Sequence, residues 1–515
     1  MDDSIGRERN MDISVNRGEA TPLYRQIEQQ LRRLILEARL PGGTRLPSER
    51  DLAHHLGVNR TTIVSAYREL AADGLIEGRV GRGTTVAALQ AGDSTGALAA
   101  TTPLPWLELV RYRYRSPHAA LVRRVAELAS QPGVISLASG VPDVTHSPHL
   151  DLRAAARELL ATGHAAILDD SPIGGSEPLR EALAHRLAVR GSGRISPGNV
   201  LVLSGSQQGL YLMARLLLEP GDAVLLESPT YLGALQVFHA VGARLVGVPI
   251  DEDGMRVDVA ERLLSRVRAR LVYTIPNYQN PSGATMAMQR RRSLLAAAQR
   301  HQVPVLEDDL YGELFYDDAP PLTLKALDRW DYVTYLGSVS SVLGSGFRLG
   351  WLVVPAALVQ PLTELRQSID LHPNNFVQAL VHHLLETGSF DAHMAWARRT
   401  FGSRRDAMVT ALKRHFPSGT RWWHPRGGLY VWCSLPPGVS SRYLLEEAAA
   451  QGVVFVPGEV FSPDGTGDDH MRLNFVQPSE KHIEEGVSRL ATALGKTERH
   501  ARRRPVAADS ARPLV

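Results

Sequence analysis

Lysine is nearly absent from this sequence. Of 57 basic residues only Lys325, Lys413, Lys481 and Lys496 are lysines, and the rest are arginines. Chemistry that needs a primary amine therefore has few places to sit. Cysteine is scarcer still: Cys433 stands alone, which excludes an internal disulfide and any cysteine-based metal cluster. No apolar run reaches the roughly 18 residues that would suggest a membrane-crossing helix. The opening decapeptide, MDDSIGRERN, is charged and lacks the apolar stretch of a secretory leader. These absences point to the cytoplasm and to no membrane partner. The net charge is only +3, so an affinity for nucleic acid has to be argued from a local patch.

The composition, 44% hydrophobic and 22% charged over 515 residues, is that of a globular protein with two or three domains. In the first segment, residues 11–88, Leu23, Ile27, Leu31, Leu34 and Ile35 recur at helical spacing. Pro41-Gly42-Gly43 breaks that helix. Ser48 caps a second one, with Asp51 in the capping-box position, and Gly57 ends it. A third helix starts at Asn59 or Arg60 and stops at Gly74. The alternation in GLIEGRVGRGTTVA then predicts a two-stranded hairpin turning at Gly81 to Gly83. Three helices and a hairpin make a winged helix-turn-helix.

The third helix opens with Asn59, Arg60, Thr61 and Thr62. A helix N-terminus carries free N–H groups and a positive dipole that suit phosphate. Arg and Asn side chains placed there reach guanine and adenine edges in a major groove. Arg79 and Arg82 sit on the wing. From Pro22 to Val86 ten arginines face seven acidic residues, a local surplus equal to that of the whole chain. A helical protein-interaction module with solvated arginines is the plain alternative. The string PGGTRLPSERDLAHHLGVNRTTIVSAYRELAADGLIEGRVGRGTTV resembles the DNA-binding domain of the GntR regulators. That resemblance implies contacts with a double-stranded DNA operator from Arg50, Asn59, Arg60, Thr61 and Thr62, and from the wing at Arg82 and Gly83.

Residues 89–120 read as a linker and 498–515 as a disordered tail. Between them, over 121–497, short apolar runs alternate with helical stretches: NVLVLSG, DAVLLES, ARLVGVP, ARLVYTIP, VPVLEDD and YVTYLGS. This rhythm predicts an α/β domain with a mostly parallel sheet, whose ligands bind at the carboxyl ends of the strands. Polar motifs lie at those ends. Ser206 and Gln207 open a helix after a strand. Tyr231 follows ESPT, and Asn280 lies in an NPSG turn expected to expose its amide. Asp308 and Tyr311 share EDDLY, Ser338 and Arg348 flank a loop, and Arg472 sits in MRLNF. Singly, Asp308 could cap a helix, Tyr231 could fill core and Arg472 could pair with a surface acid.

Together, and in this order, they resemble the fold-type-I pyridoxal-phosphate (PLP)-dependent transferases. With the winged helix in front, the chain resembles the MocR subfamily of GntR regulators, which join a DNA-binding domain to an aminotransferase-like domain. The resemblance implies that Ser206, Gln207, Ser338 and Arg348 hold the cofactor phosphate and that Tyr231 stacks on the pyridine ring. Asp308 would pair with the ring nitrogen, Asn280 and Tyr311 with the ring hydroxyl, and Arg472 with an amino-acid carboxylate. Residues 337–351, GSVSSVLGSGFRLGW, follow the family segment G-S-x-S-K-x-x-x-P-G-x-R-x-G-W. The lysine of that pattern falls on Ser341, and a hydroxyl cannot form the Schiff base that a primary amine forms. A looser alignment puts Asp170 where the family has a tyrosine that reaches the partner subunit's phosphate.

The resemblance implies a homodimeric transcription regulator, without catalytic residues because Ser341 replaces the amine. Its aminotransferase-like domain senses a small-molecule effector, which can bear a carboxylate. PLP or a related vitamer is one such ligand, held noncovalently; a different acidic metabolite is the other. An aminotransferase with a DNA-binding appendage is the alternative function. Ser341 separates the two, because the enzyme needs an amine at that place.

Overall fold

The computed structural model describes residues 13–18, 21–79, 83–87, 118–191, 193, 195–319 and 321–503. The chain divides into two units, residues 1–106 and 107–515.

In the first unit the apolar stripe of α1 (Leu23–Leu36) puts Ile27, Leu31, Leu34 and Ile35 into the core. They meet Leu52 of α2 (Glu49–Leu56) and Ile63, Ala66 and Leu70 of α3 (Arg60–Ala72). Each such side chain removed from water contributes ~1.5–3 kcal/mol, offset by chain ordering. Ser48 caps α2 by accepting from the Asp51 N–H, and Gly57 closes it in the left-handed region. The Tyr67 hydroxyl donates to the Pro47 carbonyl at 2.9 Å and ties α3 to the start of α2. β1 (Ile76–Arg79) pairs antiparallel with β2 (Gly83–Val86). The sequence does not announce one feature. The stretch after the Pro41 break pairs with β2, through Gly43 N–H to Val86 O and Leu46 N–H to Thr84 O. The hairpin turn itself lies outside the described residues.

The second unit opens with α4 (Ala119–Ala129), which begins inside the stretch read as linker. After β3 (Ile135–Ser136) comes the main sheet: β4 (Val200–Leu203), β5 (Ala223–Ser228), β6 (Arg244–Asp251), β7 (Gly254–Met255), β8 (Ala269–Thr274), β9 (Val305–Asp308), β10 (Val333–Ser338) and β11 (Gly350–Val353). Its order is β4-β11-β10-β9-β8-β5-β6-β7. β6, β5, β8, β9 and β10 run parallel, while β11 runs against β10 and β4.

Alternate residues of β5 serve two cores: Val224 and Leu226 pack in one, Leu225 in the other. A sheet buried on both faces accounts for the continuous apolar runs. A smaller sheet holds β12 (Arg421–Trp422), β13 (Tyr430–Ser434), β15 (Val456–Pro457) and β16 (His470–Asn474), while β14 (Val453–Val454) pairs with β3. The last helix, Glu480–Arg503, corrects the expectation of a disordered tail from residue 498. Its buried Ile483, Val487, Leu490 and Leu494 keep helical spacing, and Thr497 is buried one turn on. Among the described residues no helix is long and apolar enough to cross a membrane.

Candidate functional site

There are two candidate sites, one in each unit. In the first, the Asn59 side chain is committed to its own backbone: its Oδ1 accepts from the Thr61 N–H and the Thr61 hydroxyl, each at 3.0 Å. Arg60 is exposed and bonded to Glu49, with Nη2 at 2.8 Å and Nε at 3.1 Å from the same oxygen. Arg50, the second residue of α2, is exposed, and Thr62 is half-buried. Gly83, at φ +81°, starts β2; a Cβ there would lie 3.1 Å from Arg45 Nε. Arg82 lies outside the described residues, as does the side chain of Arg79.

In the second unit a cavity of about 970 Å³ opens at the carboxyl ends of β4, β5, β8, β9 and β10. Ser206, Gln207, Tyr231, Asn280, Asp308, Tyr311, Ser341, Arg348 and Arg472 all line it. Ser206 begins the helix Ser206–Leu217, which has no side-chain cap. Its first N–H groups are thus left for an anion. Gly205, at φ +99°, makes room: a Cβ would stand 2.7 Å from Arg348 Nη2. Arg348 leans on the Ser204 carbonyl at 3.4 Å. Tyr231 donates to Gln207 Oε1 at 3.3 Å, and Gln207 donates to the Gly233 carbonyl at 2.9 Å, which fixes the ring. Burial pushes the Tyr231 phenol up to about 12.

Asp308, at the end of β9, is almost wholly buried. Burial pushes its carboxyl up to about 7, Asp309 adds to the rise, and the Tyr273 hydroxyl, donating at 2.7 Å, opposes it. Glu227 behind it is also pushed to about 7 by burial. Beside Asp308 a chain runs from Tyr311 to Arg472: Asn280 donates to the Tyr311 hydroxyl at 3.1 Å and accepts from Arg472 Nη1 at 3.0 Å. The expectation of an exposed Asn280 amide is corrected here. The residue is 1% exposed because Tyr311 and Arg472 close over it. Arg472 Nη2 donates to the Ala138 carbonyl at 3.2 Å, and the guanidinium lies 4.1 Å above the Tyr430 ring. Its Nε is buried and has no partner.

Ser338 does not line the cavity. Its hydroxyl donates to the Leu349 carbonyl at 2.9 Å and accepts from the Ser340 N–H. Ser340 lines the wall instead, with a buried hydroxyl that has no partner. Sequence reading placed Ser340 on the family segment without assigning it a role, and it passed over Tyr430. Ser341 is buried and donates to the Leu310 carbonyl. None of the four lysines lines the cavity. Lys325 donates to the Val333 carbonyl, at the end of β10 opposite to Ser341. Asp170 is exposed, near His372 at 3.6 Å, and does not line the cavity.

A helix-turn-helix unit and an aminotransferase-type unit in one chain define a class of transcription regulator. Residues 132–490 match the family model "Aminotransferase class I and II" and residues 23–86 match "Bacterial regulatory proteins, gntR family". The chain is 32% identical to the HTH-type transcriptional regulator YisV of Bacillus subtilis, over 91% of this chain and 95% of that one. It is 38% identical to aromatic-amino-acid aminotransferase 1 of Thermococcus litoralis, over 73% of this chain and 91% of the relative. Among solved structures it resembles the α-aminoadipate aminotransferase LysN of Thermus thermophilus, complexed with N-(5'-phosphopyridoxyl)-L-leucine. That similarity has TM-score 0.72 and 35% identity, and it covers 77% of this chain and all of that one. The chain belongs to the aminotransferase class I and II family and, with its GntR unit, has the MocR architecture.

Proposed function

We propose that this DNA-binding transcription regulator reads a small molecule in the aminotransferase-type cavity and does not turn it over. The observation that carries the reading is a wall that keeps its polar groups and holds no lysine, with Ser341 standing where the family segment has one. A phosphopyridoxyl group fits the donor set. The helix N-terminus at Ser206, with Gln207, Ser340 and Arg348, would hold its phosphate. The unpartnered Ser340 hydroxyl supports that assignment. Tyr231 would cover the ring. Asp308, whose carboxyl burial raises to about 7, would be held charged by a ring N–H cation. Asn280 and Tyr311 would meet the ring hydroxyl, and Arg472 the carboxylate of an attached amino acid.

Bound PLP supplies an electron sink for carbanion chemistry. The amine that would fix it covalently and shuttle the α-proton is missing, so binding here is noncovalent. Domain boundaries of 11–88 for DNA binding, 89–120 for the linker and 121–497 for the effector domain belong to this reading; helix formation to Arg503 extends the last of them. So do a cytoplasmic location and a homodimer on paired half-sites. Effector binding acts by shifting the balance between two arrangements of that dimer on DNA.

The test uses the full chain. Pyridoxal phosphate and its reduced amino-acid adducts are expected to raise the unfolding midpoint, while mixtures of amino acid and keto acid with the protein and PLP show no amino-group exchange. Exchange by the purified protein overturns the reading in favour of an aminotransferase. A protein indifferent to every vitamer and adduct points to the other acidic metabolite.

A further inference from the structure

Every charge on the cavity wall already has an assignment. The charged side chains that line it are Asp308, Arg348 and Arg472. Under the reading above these meet the ring, the phosphate and the α-carboxylate, and among the described residues no fixed charge remains for the rest of a ligand. The wall left over includes the Ser136–Val141 stretch and two apolar elements. The helix α4 turns Val122, Val125, Ala126 and Ala129 to the cavity, the i, i+3, i+4, i+7 spacing of one helix face. Val460 and Phe461, just after β15, form the other side. None of the charged residues of α4 lines the cavity: Arg124 is bonded to Glu446 at 2.7 Å and lies 4.0 Å from Glu127, and Arg123 is exposed. Neutral Ser130, Gln236 and Gln477 add hydrogen-bonding groups without charge. At about 970 Å³ the space lies near the top of the ~300–1,000 Å³ range of small-molecule sites, so it holds more than a bare cofactor.

We propose that the wall between α4 and Val460–Phe461 is the specificity surface of the sensor. It accepts the uncharged, apolar side chain of an amino-acid-derived effector and excludes acidic and basic side chains. The inference rests on the phosphopyridoxyl reading of the same cavity. Its physics is direct: the apolar wall gains from covering an apolar side chain, whereas a charge placed there loses its hydration and finds no partner.

The test is calorimetric titration of the full chain with N-(5'-phosphopyridoxyl) adducts of glycine, leucine, phenylalanine, aspartate and lysine. The glycine adduct reports on the phosphate, ring and carboxylate contacts alone. The leucine and phenylalanine adducts are expected to bind at least about tenfold tighter than it. The aspartate and lysine adducts are expected to bind no tighter than glycine. Ala126→Arg places a cation on the wall at an exposed helical position. It should tighten the aspartate adduct severalfold and weaken the leucine adduct. If the glycine adduct binds and the charged adducts match or exceed the apolar ones, the specificity surface is wrong while the phosphopyridoxyl reading stands. If no adduct binds, both fail.

Discussion

Arg60, the first residue of α3, is held by Glu49, the first residue of α2, through a single carboxylate oxygen. The pair is exposed on both sides, 55% and 35% of side-chain area, so it stabilises the unit by at most ~1 kcal/mol. Its place is informative nonetheless. In the proposed DNA-binding role, an arginine at a helix N-terminus is carried here by an acid on the neighbouring helix, poised rather than loose. Arg60→Ala is therefore expected to leave the unfolding midpoint nearly unchanged and to weaken operator binding by ~1–3 kcal/mol. Fluorescence anisotropy at two salt concentrations checks this. Unaltered affinity removes Arg60 from the interface.

Asn59 separates structure from recognition. Its Oδ1 serves as the cap of α3, so Asn59→Ala should cost the first unit about 1 kcal/mol, seen as a lower denaturant midpoint. Asn59→Asp keeps the cap. It should restore the stability but depress DNA affinity, since it sets an anion beside the phosphate backbone. Equal affinity for Asn59→Asp and wild type would show that α3 does not approach DNA by this end.

Much of the first unit was legible from short-range signals, because caps and helical periodicity are local: Ser48, Asn59, Gly57 and the Ile27 to Ile35 stripe all stand where the sequence puts them. The pairing of Gly43 to Leu46 with β2 was not, since it joins residues some 40 apart, and a Pro-Gly-Gly break tells only where a helix stops. In the second unit the apolar runs marked the strands, and strand ends marked the site. What the sequence could not show was how side chains settle there. Asn280 turns inward because Arg472, from the smaller sheet, reaches back over it. Ser340 rather than Ser338 reaches the wall, because Ser338 is taken by the Leu349 carbonyl of the returning strand. Both depend on contacts between segments far apart in sequence.

Asp308 gives the ligand-free protein a pH signature. Its carboxyl is raised from 3.8 to about 7, so the folded state holds a proton that the unfolded chain releases. Stability from this group is full below pH ~4 and is lost as pH rises through ~7. Asp308→Asn should remove that loss and stabilise the ligand-free protein at pH 8, by on the order of 4 kcal/mol if Asp308 alone is responsible. Glu227, also raised to about 7, keeps part of the slope in the variant. The same substitution should abolish the thermal shift produced by pyridoxal phosphate. A pH profile identical to wild type would mean that Asp308 is ionised in the free protein.

Ser341→Lys asks whether the cavity has lost only its amine. The side chain starts from the buried wall position of Ser341, beside the Leu310 carbonyl. PLP added to the variant should become covalently attached at residue 341 after borohydride reduction, as peptide mass spectrometry reads directly. A variant that folds, by its unfolding profile, yet captures nothing would show that the remaining contacts do not seat the cofactor.

The most direct measurement uses the unaltered chain: incubation with PLP, borohydride reduction and peptide mass spectrometry, with Ser341→Lys in parallel. The account predicts no phosphopyridoxyl-lysine in any peptide that lines the cavity, and unmodified mass at Lys325, Lys413, Lys481 and Lys496 under conditions that label the variant. Stoichiometric attachment at any of those four lysines would contradict it, because the protein would then supply the amine that this cavity is held to lack.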